Sequence, residues 1–222
     1  MSCDLFIVTS VIHTGTTPWS YTETRSLFSP ELRLQQTLET FASIRRFCPG
    51  AKIVLVEGGP LSEAERGVLS SESDWFVDAH TKEGTRQYCL ESGKKGLGDV
   101  WLLSVGLDFV RTSVPEQPRL VFKMSGRYRL NEQFNIANIS DSVPTFRRFS
   151  ETGCITFCFA VPGHMLDTYV QIVKGAVAMY CGSQNPSLEY YLPHQFAQIQ
   201  DISCIGAEGQ IAVDTSLSMY RV

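Results

Sequence analysis

Apolar residues in this chain fall into short runs cut by glycine, proline and polar turns, and the stretches between some of these runs repeat every three or four residues. Residues 5–10 (LFIVTS), 51–57 (AKIVLVE), 75–77, 120–124 and 152–162 (TGCITFCFAVP) have strand length and apolar character and read as buried strands. Leu34, Leu38, Phe41 and Ile44 recur at helical steps behind the start signal Ser29-Pro30-Glu31, and Cys48-Pro49-Gly50 ends that helix. Residues 61–70 and 165–182 read as further helices, 186–196 as a helix or turn, and 100–110 as a helix that is apolar almost all round and therefore buried. Residues 202–205 and 210–213 read as short terminal strands. The alternation of strand and helix through the first half predicts an α/β fold with a mostly parallel central sheet flanked by helices and joined by right-handed crossovers. No repeat, low-complexity tract or linker divides the 222 residues, so a single domain is expected.

Two polar stretches break the pattern. Residues 11–30 and 80–96 read as long loops, which are uncommon unless functional. His13, Trp19 and Tyr21 in the first can stack on or hydrogen-bond to a ligand, or pack down as ordinary surface aromatics. Residues 131–142 form a polar connection.

Composition narrows the classes. Apolar residues make up 43% and charged residues 19%, as in a folded globular chain, and the net charge of −4 gives no support for nucleic-acid binding. A local basic pocket within such a chain would suit an anionic small molecule. The seven cysteines are odd in number and scattered, with no CxxC, which fits reduced thiols, a cytoplasmic setting and no structural zinc. The start MSCDLFIVTSVI lacks a basic segment and reads as a first strand, not a signal peptide. No run reaches the ~18 apolar residues of a membrane span. The Asn138-Ile139-Ser140 sequon has no meaning in a cytoplasmic chain.

The chemistry concentrates at 119–130 (RLVFKMSGRYRL). Here a buried strand ends abruptly in Lys123-Met124-Ser125-Gly126-Arg127-Tyr128, and ends of this kind are where open α/β sheets bind ligands. Lys123 and Arg127 supply charge, Gly126 permits close backbone approach, and Tyr128 offers a flat face and a hydroxyl. The alternative is a plain strand end with solvated charges. Lys95-Gly96-Leu97-Gly98-Asp99, placed before a helix, suits an anion because helix N-terminal amides are unpaired, although the spacing is not that of a P-loop. Glu57, at another strand end, can accept from a ribose hydroxyl or a base N–H, or be a solvated acid.

Taken together, Thr9-Ser10, the segment around Glu31, Arg33, Gln36 and Thr37, residues 53–57, Lys95-Gly96-Leu97-Gly98-Asp99 and above all the KxSGRY motif resemble a GT-A-type nucleotide-sugar glycosyltransferase. The nearest likeness is to small transferase-like proteins of bacteria and large viruses. The resemblance spans most of the chain and implies a single GT-A-like (Rossmann-like) domain, with 1–130 as nucleotide-binding half and 131–222 as acceptor-side half. It implies a nucleoside-diphosphate sugar as donor and a hydroxyl on a glycan, lipid or protein as acceptor. Thr9, Ser10 and Glu57 would contact the nucleoside, and Asp99 the donor ribose or sugar. Gly98, Ser125, Gly126 and Tyr128 would complete the donor site. Glu189 would take the acceptor proton, with His194 as second choice.

That family normally carries Asp-x-Asp after the central strand to hold a divalent cation. This chain has Ser125-Gly126-Arg127 instead, and its closest acidic spacings, Glu63-Ala64-Glu65 and Glu72-Ser73-Asp74, lie elsewhere. No tightly bound cofactor or metal is therefore expected, with Arg127, Lys123 and Lys95, and Arg33 as a fourth, stabilising the leaving diphosphate. A non-catalytic sugar-nucleotide-binding relic or assembly subunit is the alternative. A sugar-nucleotide nucleotidyltransferase ranks lower, since residues 11–16 (VIHTGT) lack a glycine-rich basic loop. A Rossmann methyltransferase is disfavoured because no GxGxxG-like turn follows an early strand.

Overall fold

The structure, a computed structural model, describes residues 3–20, 22–182, 187–213 and 216–222, without the side chains of 211–218. Its elements in chain order are β1 (Leu5–Ser10), α1 (Pro30–Phe47), β2 (Lys52–Glu57), α2 (Glu63–Glu72), β3 (Trp75–Asp78), α3 (Lys95–Ser113), β4 (Leu120–Ser125), β5 (Tyr128–Leu130), β6 (Thr145–Phe146), β7 (Cys158–Pro162), α4 (Leu166–Cys181), α5 (Leu188–His194), β8 (Gln200–Asp201), β9 (Ala207–Val213) and β10 (Ser216–Arg221). Seven strands form the central sheet in the order β3-β2-β1-β4-β7-β6-β8, and β10-β9-β5 form a smaller one. β1 to β4 are mutually parallel where they pair, β7 runs antiparallel to both β4 and β6, and β8 runs parallel to β6. This is the mostly parallel α/β sheet that the sequence predicts.

Strand alternation builds a core on each face. From β1, Leu5 and Ile7 enter the layer with α3 and α4, while Phe6 and Val8 enter the layer with Phe41 and Ile44 of α1 and Leu69 of α2. The rings of Phe6 and Phe122 stack at 4.3 Å across β1 and β4. Both faces are covered, so β1 is buried along its whole length, as parallel strands usually are. Ser29 caps α1 by accepting from the Leu32 N–H, and Ser62 with Glu65 forms a capping box on α2.

Three expectations need correction, and one strand was missed. The run 152–162 is not one strand: regular pairing covers only Cys158–Pro162, and before it Arg148 bridges Cys154 while Ile155 donates to the Arg147 carbonyl. Residues 80–96 are not an open loop. They hold a π-helical turn, Arg86–Glu91, and the first two residues of α3, so Lys95-Gly96-Leu97-Gly98-Asp99 opens the helix instead of preceding it. Residues 202–205 are not a strand. The strand 216–221 escaped the sequence pattern altogether; it pairs with β9, which pairs with β5 and so brings the C-terminus back beside the end of β4. Among the described residues no helix is long and apolar enough to cross a membrane.

Candidate active site

From β1 the chain crosses one way to β2 and β3, and β4 lies on the other side of β1. The carboxyl ends of β1 and β4 therefore flank the point where the strand order reverses, the usual ligand crevice of an open α/β sheet. A cleft of about 820 Å³ opens there, within the ordinary range of small-molecule sites. It is lined by the ends of β1 and β4, the first turn of α3, the loop 14–28, residues 155–157, and the start of α5. Thr9, Ser10, Arg33, Lys95, Gly98, Asp99, Ser125, Gly126, Arg127, Tyr128 and Glu189 of the sequence-predicted set all face it, whereas Glu57, Lys123 and His194 do not.

The floor follows from strand alternation. Thr9 and Lys123 point to the α3 face, like Ile7 and Val121, and there both meet Asp99, just past the first turn of α3. Thr9 Oγ1 donates to Asp99 Oδ1 at 2.8 Å, and Lys123 Nζ donates to Asp99 Oδ2 at 2.8 Å and to Ser125 Oγ at 2.6 Å. Lys123 is only 2% exposed, so it is not a cation presented to a ligand. A buried ammonium needs partners, and this one fixes the position of Asp99 and Ser125 from beneath. Ser10 points the other way and shares a 3.3 Å hydrogen bond with Thr37, which also donates to the Gly126 carbonyl at 3.1 Å. Gly126 is itself packed: a Cβ there would sit 3.0 Å from Thr37 Oγ1.

Above this floor the charge is positive. Lys95, Arg127 and Arg33 face the same cleft. Arg33 is steadied by donating from Nε to the Val11 carbonyl. No side-chain hydrogen bond or ion pair joins Lys95 or Arg127 to another described residue; Arg127 lies over the Phe28 and Tyr128 rings, at 5.3 and 5.9 Å. Burial, and after it the Arg127 charge, pulls the Lys95 ammonium below its ordinary range, against Glu189 and Asp99. The same two causes bring the Arg33 guanidinium down to about 9. The N-cap residue Lys94 makes no side-chain cap to the N-terminus of α3, so its first-turn amides add to the positive field.

Glu57 is a correction. It is fully buried; Oε1 accepts from the Ile12 N–H at 3.0 Å and the Gly59 N–H at 2.7 Å, which ties the exits of β1 and β2 together, and Oε2 has no hydrogen-bond partner among the described residues. Burial pushes this carboxyl up from 4.5 to about 6, against those two N–H groups. The folded chain thus holds the proton more tightly than the unfolded chain. The resulting stability, about 2 kcal/mol, is fully present below pH 4.5 and is lost as pH rises through 6. In urea unfolding, the wild type is expected to gain about this much relative to Glu57→Gln between pH 6.5 and 4.5; a flat difference would show an unperturbed carboxyl.

His194 is also displaced from its expected role: its Nε2 meets the Thr152 carbonyl on the outside of α5. His13 pairs with Glu65 at 2.8 Å, away from the cleft, and Trp19 lines it, while Tyr21 lies outside the described residues. Sequence reasoning missed Arg25, which is buried and donates to the carbonyls of Thr17, Cys89 and Ser92, stitching the long loop to the π-helical turn, with its guanidinium 3.9 Å from the Trp19 ring centre.

Glu189, at the first turn of α5, is held by two hydroxyls. Thr156 donates to Oε1 at 3.1 Å and Ser187 donates to Oε2. A carboxylate has about four acceptor positions, so capacity remains for a ligand proton. Tyr180, also missed, lies between α3 and α5; burial pushes its phenol to about 12, with Glu189 and Asp99 adding to the effect. A side chain at Gly96 would overlap the Tyr180 hydroxyl, and Lys94 reaches the Tyr180 and Gly182 carbonyls to join α3 to the end of α4. Gly96→Ala is therefore expected to lower the melting temperature by several degrees, the effect of forcing a well-packed side chain aside; an unchanged midpoint in calorimetry would argue against this contact.

A GT-A-like fold commonly implies a divalent cation, and the residues here do not fit one. Such ions take several oxygen ligands. The site after β4 presents Ser125, Gly126 and Arg127 in place of carboxylates, the charge of Asp99 is already met by the buried Lys123 ammonium, and no group of three His, Cys, Asp or Glu side chains gathers among the described residues.

No protein-family model matches the chain, and no curated protein matches its sequence. Solved structures do. The glycosyltransferase GlyE of Streptococcus pneumoniae TIGR4 superposes with a TM-score of 0.50 at 10% identity, over 91% of this chain and 45% of that one. The nucleoside-diphosphate-sugar pyrophosphorylase of Vibrio cholerae RC9 superposes equally well, at 0.50 and 10% identity, over 90% of this chain and 93% of that one. At such identities the likeness is one of fold. The chain has the GT-A-like, Rossmann-like architecture expected from its sequence.

Proposed function

We propose that this protein is a glycosyltransferase that moves a sugar from a nucleoside diphosphate to an acceptor hydroxyl, and that it does so without a tightly bound metal. The observation that carries the reading is the pair Lys95 and Arg127, two cations facing one cleft at the reversal of strand order and committed to no carboxylate among the described residues. Cationic side chains gather around the site in excess of the carboxylates Asp99, Glu189 and Glu57, which suits a dianionic pyrophosphate and leaves little reason for a further divalent charge. The bond from the anomeric carbon to the diphosphate oxygen breaks, and Arg127, Lys95 and the α3 N-terminus take up the charge released. The acceptor oxygen forms the new bond and its proton passes to Glu189. The free thiols support a reducing, cytoplasmic setting.

Uridine or guanosine diphosphate is expected to raise the melting temperature in metal-free buffer, since a ligand of the folded state must stabilise it. Turnover of the corresponding sugar donor is expected to survive EDTA. Complete loss in chelator, restored by manganese, would overturn the metal-free reading. Binding without turnover would favour a non-catalytic relic or assembly subunit.

The pyrophosphorylase likeness gives nucleotidyl transfer a place as second reading, although residues 11–16 carry no glycine-rich basic loop. Products separate the two: glycosyl transfer or donor hydrolysis releases nucleoside diphosphate, whereas pyrophosphorolysis releases nucleoside triphosphate and sugar phosphate.

A further inference from the structure

We propose that the wall of the cleft formed by residues 155–157, Tyr220 and the start of α5 is a pyranose-binding subsite, so that the acceptor is a carbohydrate; this rests on the transferase reading above. Residues 155–157 leave the central sheet before β7 begins and reach the cleft. Phe157 lays one face on Tyr128, with ring centres 3.8 Å apart and planes 8° from parallel. Tyr220 of β10 stands 74° to Phe157 at 6.1 Å. Both Phe157 and Tyr220 keep part of their surface exposed, and together they make a right-angled aromatic corner. Beside it, Thr156 and Ser187 hold the Glu189 carboxylate.

A pyranose has an apolar C–H face and a rim of hydroxyls. The corner offers a flat apolar surface with a phenol at one edge, and the neighbouring hydroxyls and carboxylate meet the rim. The other acceptor classes fit less well. A lipid chain asks for an extended apolar groove, and this wall is two rings wide and broken by Thr156 and Ser187. A peptide asks for a continuous run of unpaired backbone, and along 154–157 that run is interrupted: Cys154 N–H donates to the Glu189 carbonyl, Ile155 N–H to the Arg147 carbonyl, and the Phe157 carbonyl accepts from Ser125.

The test is saturation-transfer NMR on the full chain, with irradiation in the aromatic region. The probes are methyl glucopyranoside, methyl galactopyranoside and methyl mannopyranoside, compared with n-octanol and a blocked Ala-Ser-Ala peptide, each with and without uridine diphosphate. The C–H protons of at least one pyranoside are expected to receive saturation in either condition. That signal should fall at least about threefold in Tyr220→Ser and in Phe157→Leu, the scale of losing one aromatic partner. If Phe157→Leu fails to fold by circular dichroism, the half-exposed Tyr220→Ser decides alone. Transfer to no pyranoside, transfer undiminished in the folded variants, or transfer only to octanol or the peptide would overturn the proposal. The nucleotide melting experiment reads the cationic half separately. Pyranoside stacking without nucleotide binding leaves this subsite standing and removes the transferase reading, while nucleotide binding without stacking does the reverse.

Discussion

Arg127→Ala is expected to lower kcat/KM for a nucleotide-sugar donor by about 100-fold to 1000-fold, the range for deleting one preorganised group at a developing oxyanion. The side chain follows the end of β4, at the strand reversal, and its guanidinium rests over the Phe28 and Tyr128 rings. Stacking of this kind holds the planar group in place before the ligand arrives. Arg127→Lys is expected to recover only part of the loss, because an ammonium has neither the fork nor the flat face. Lys95→Ala should also impair turnover. If the two cations grip the same pyrophosphate, their effects will not add in the double variant. Each variant should also weaken the salt dependence of nucleoside diphosphate binding. Unchanged kcat/KM in Arg127→Ala would remove the cationic grip from the mechanism.

The sequence pattern exposed the sheet more fully than it exposed the site. Runs such as LFIVTS and KIVLVE are apolar at successive positions because both faces of the strand are covered, and helix starts such as Ser29-Pro30 carry their own chemistry. The end of β4 was legible because charge and glycine follow an apolar run abruptly. Lys123 shows the limit of that reasoning. Its position identified the right strand end, but strand alternation turns it towards α3, and only the partner Asp99, 24 residues earlier, explains why a lysine is tolerated there. Glu57 was misplaced for the same cause, since strand-end position does not reveal that Ile12 and Gly59 close over it. Arg25 reaches the π-helical turn, and Tyr180 the start of α3, through contacts 64 and more residues away in sequence, and nothing local to them signals these. Phe157 was hidden in an apolar stretch whose strand begins later than its composition suggests.

Glu189→Gln is expected to lower kcat by about 100-fold to 10,000-fold, the usual contribution of a positioned base, and to leave donor affinity intact. The amide keeps the shape of the carboxylate, and its oxygen can still accept from Thr156 or Ser187, so the start of α5 should hold. The direction of any change in donor binding is itself informative. Glu189 is one of the two carboxylates that act against the depressed Lys95 ammonium. Removing its charge leaves the cleft more positive, so nucleoside diphosphate should bind as tightly as before or more tightly. A merely structural role would instead weaken donor binding and lower the melting temperature together. Isothermal titration of the diphosphate, set beside transfer kinetics, distinguishes the cases. Tighter donor binding with lost transfer identifies Glu189 as the group that takes the acceptor proton, and undiminished transfer removes it from the reaction.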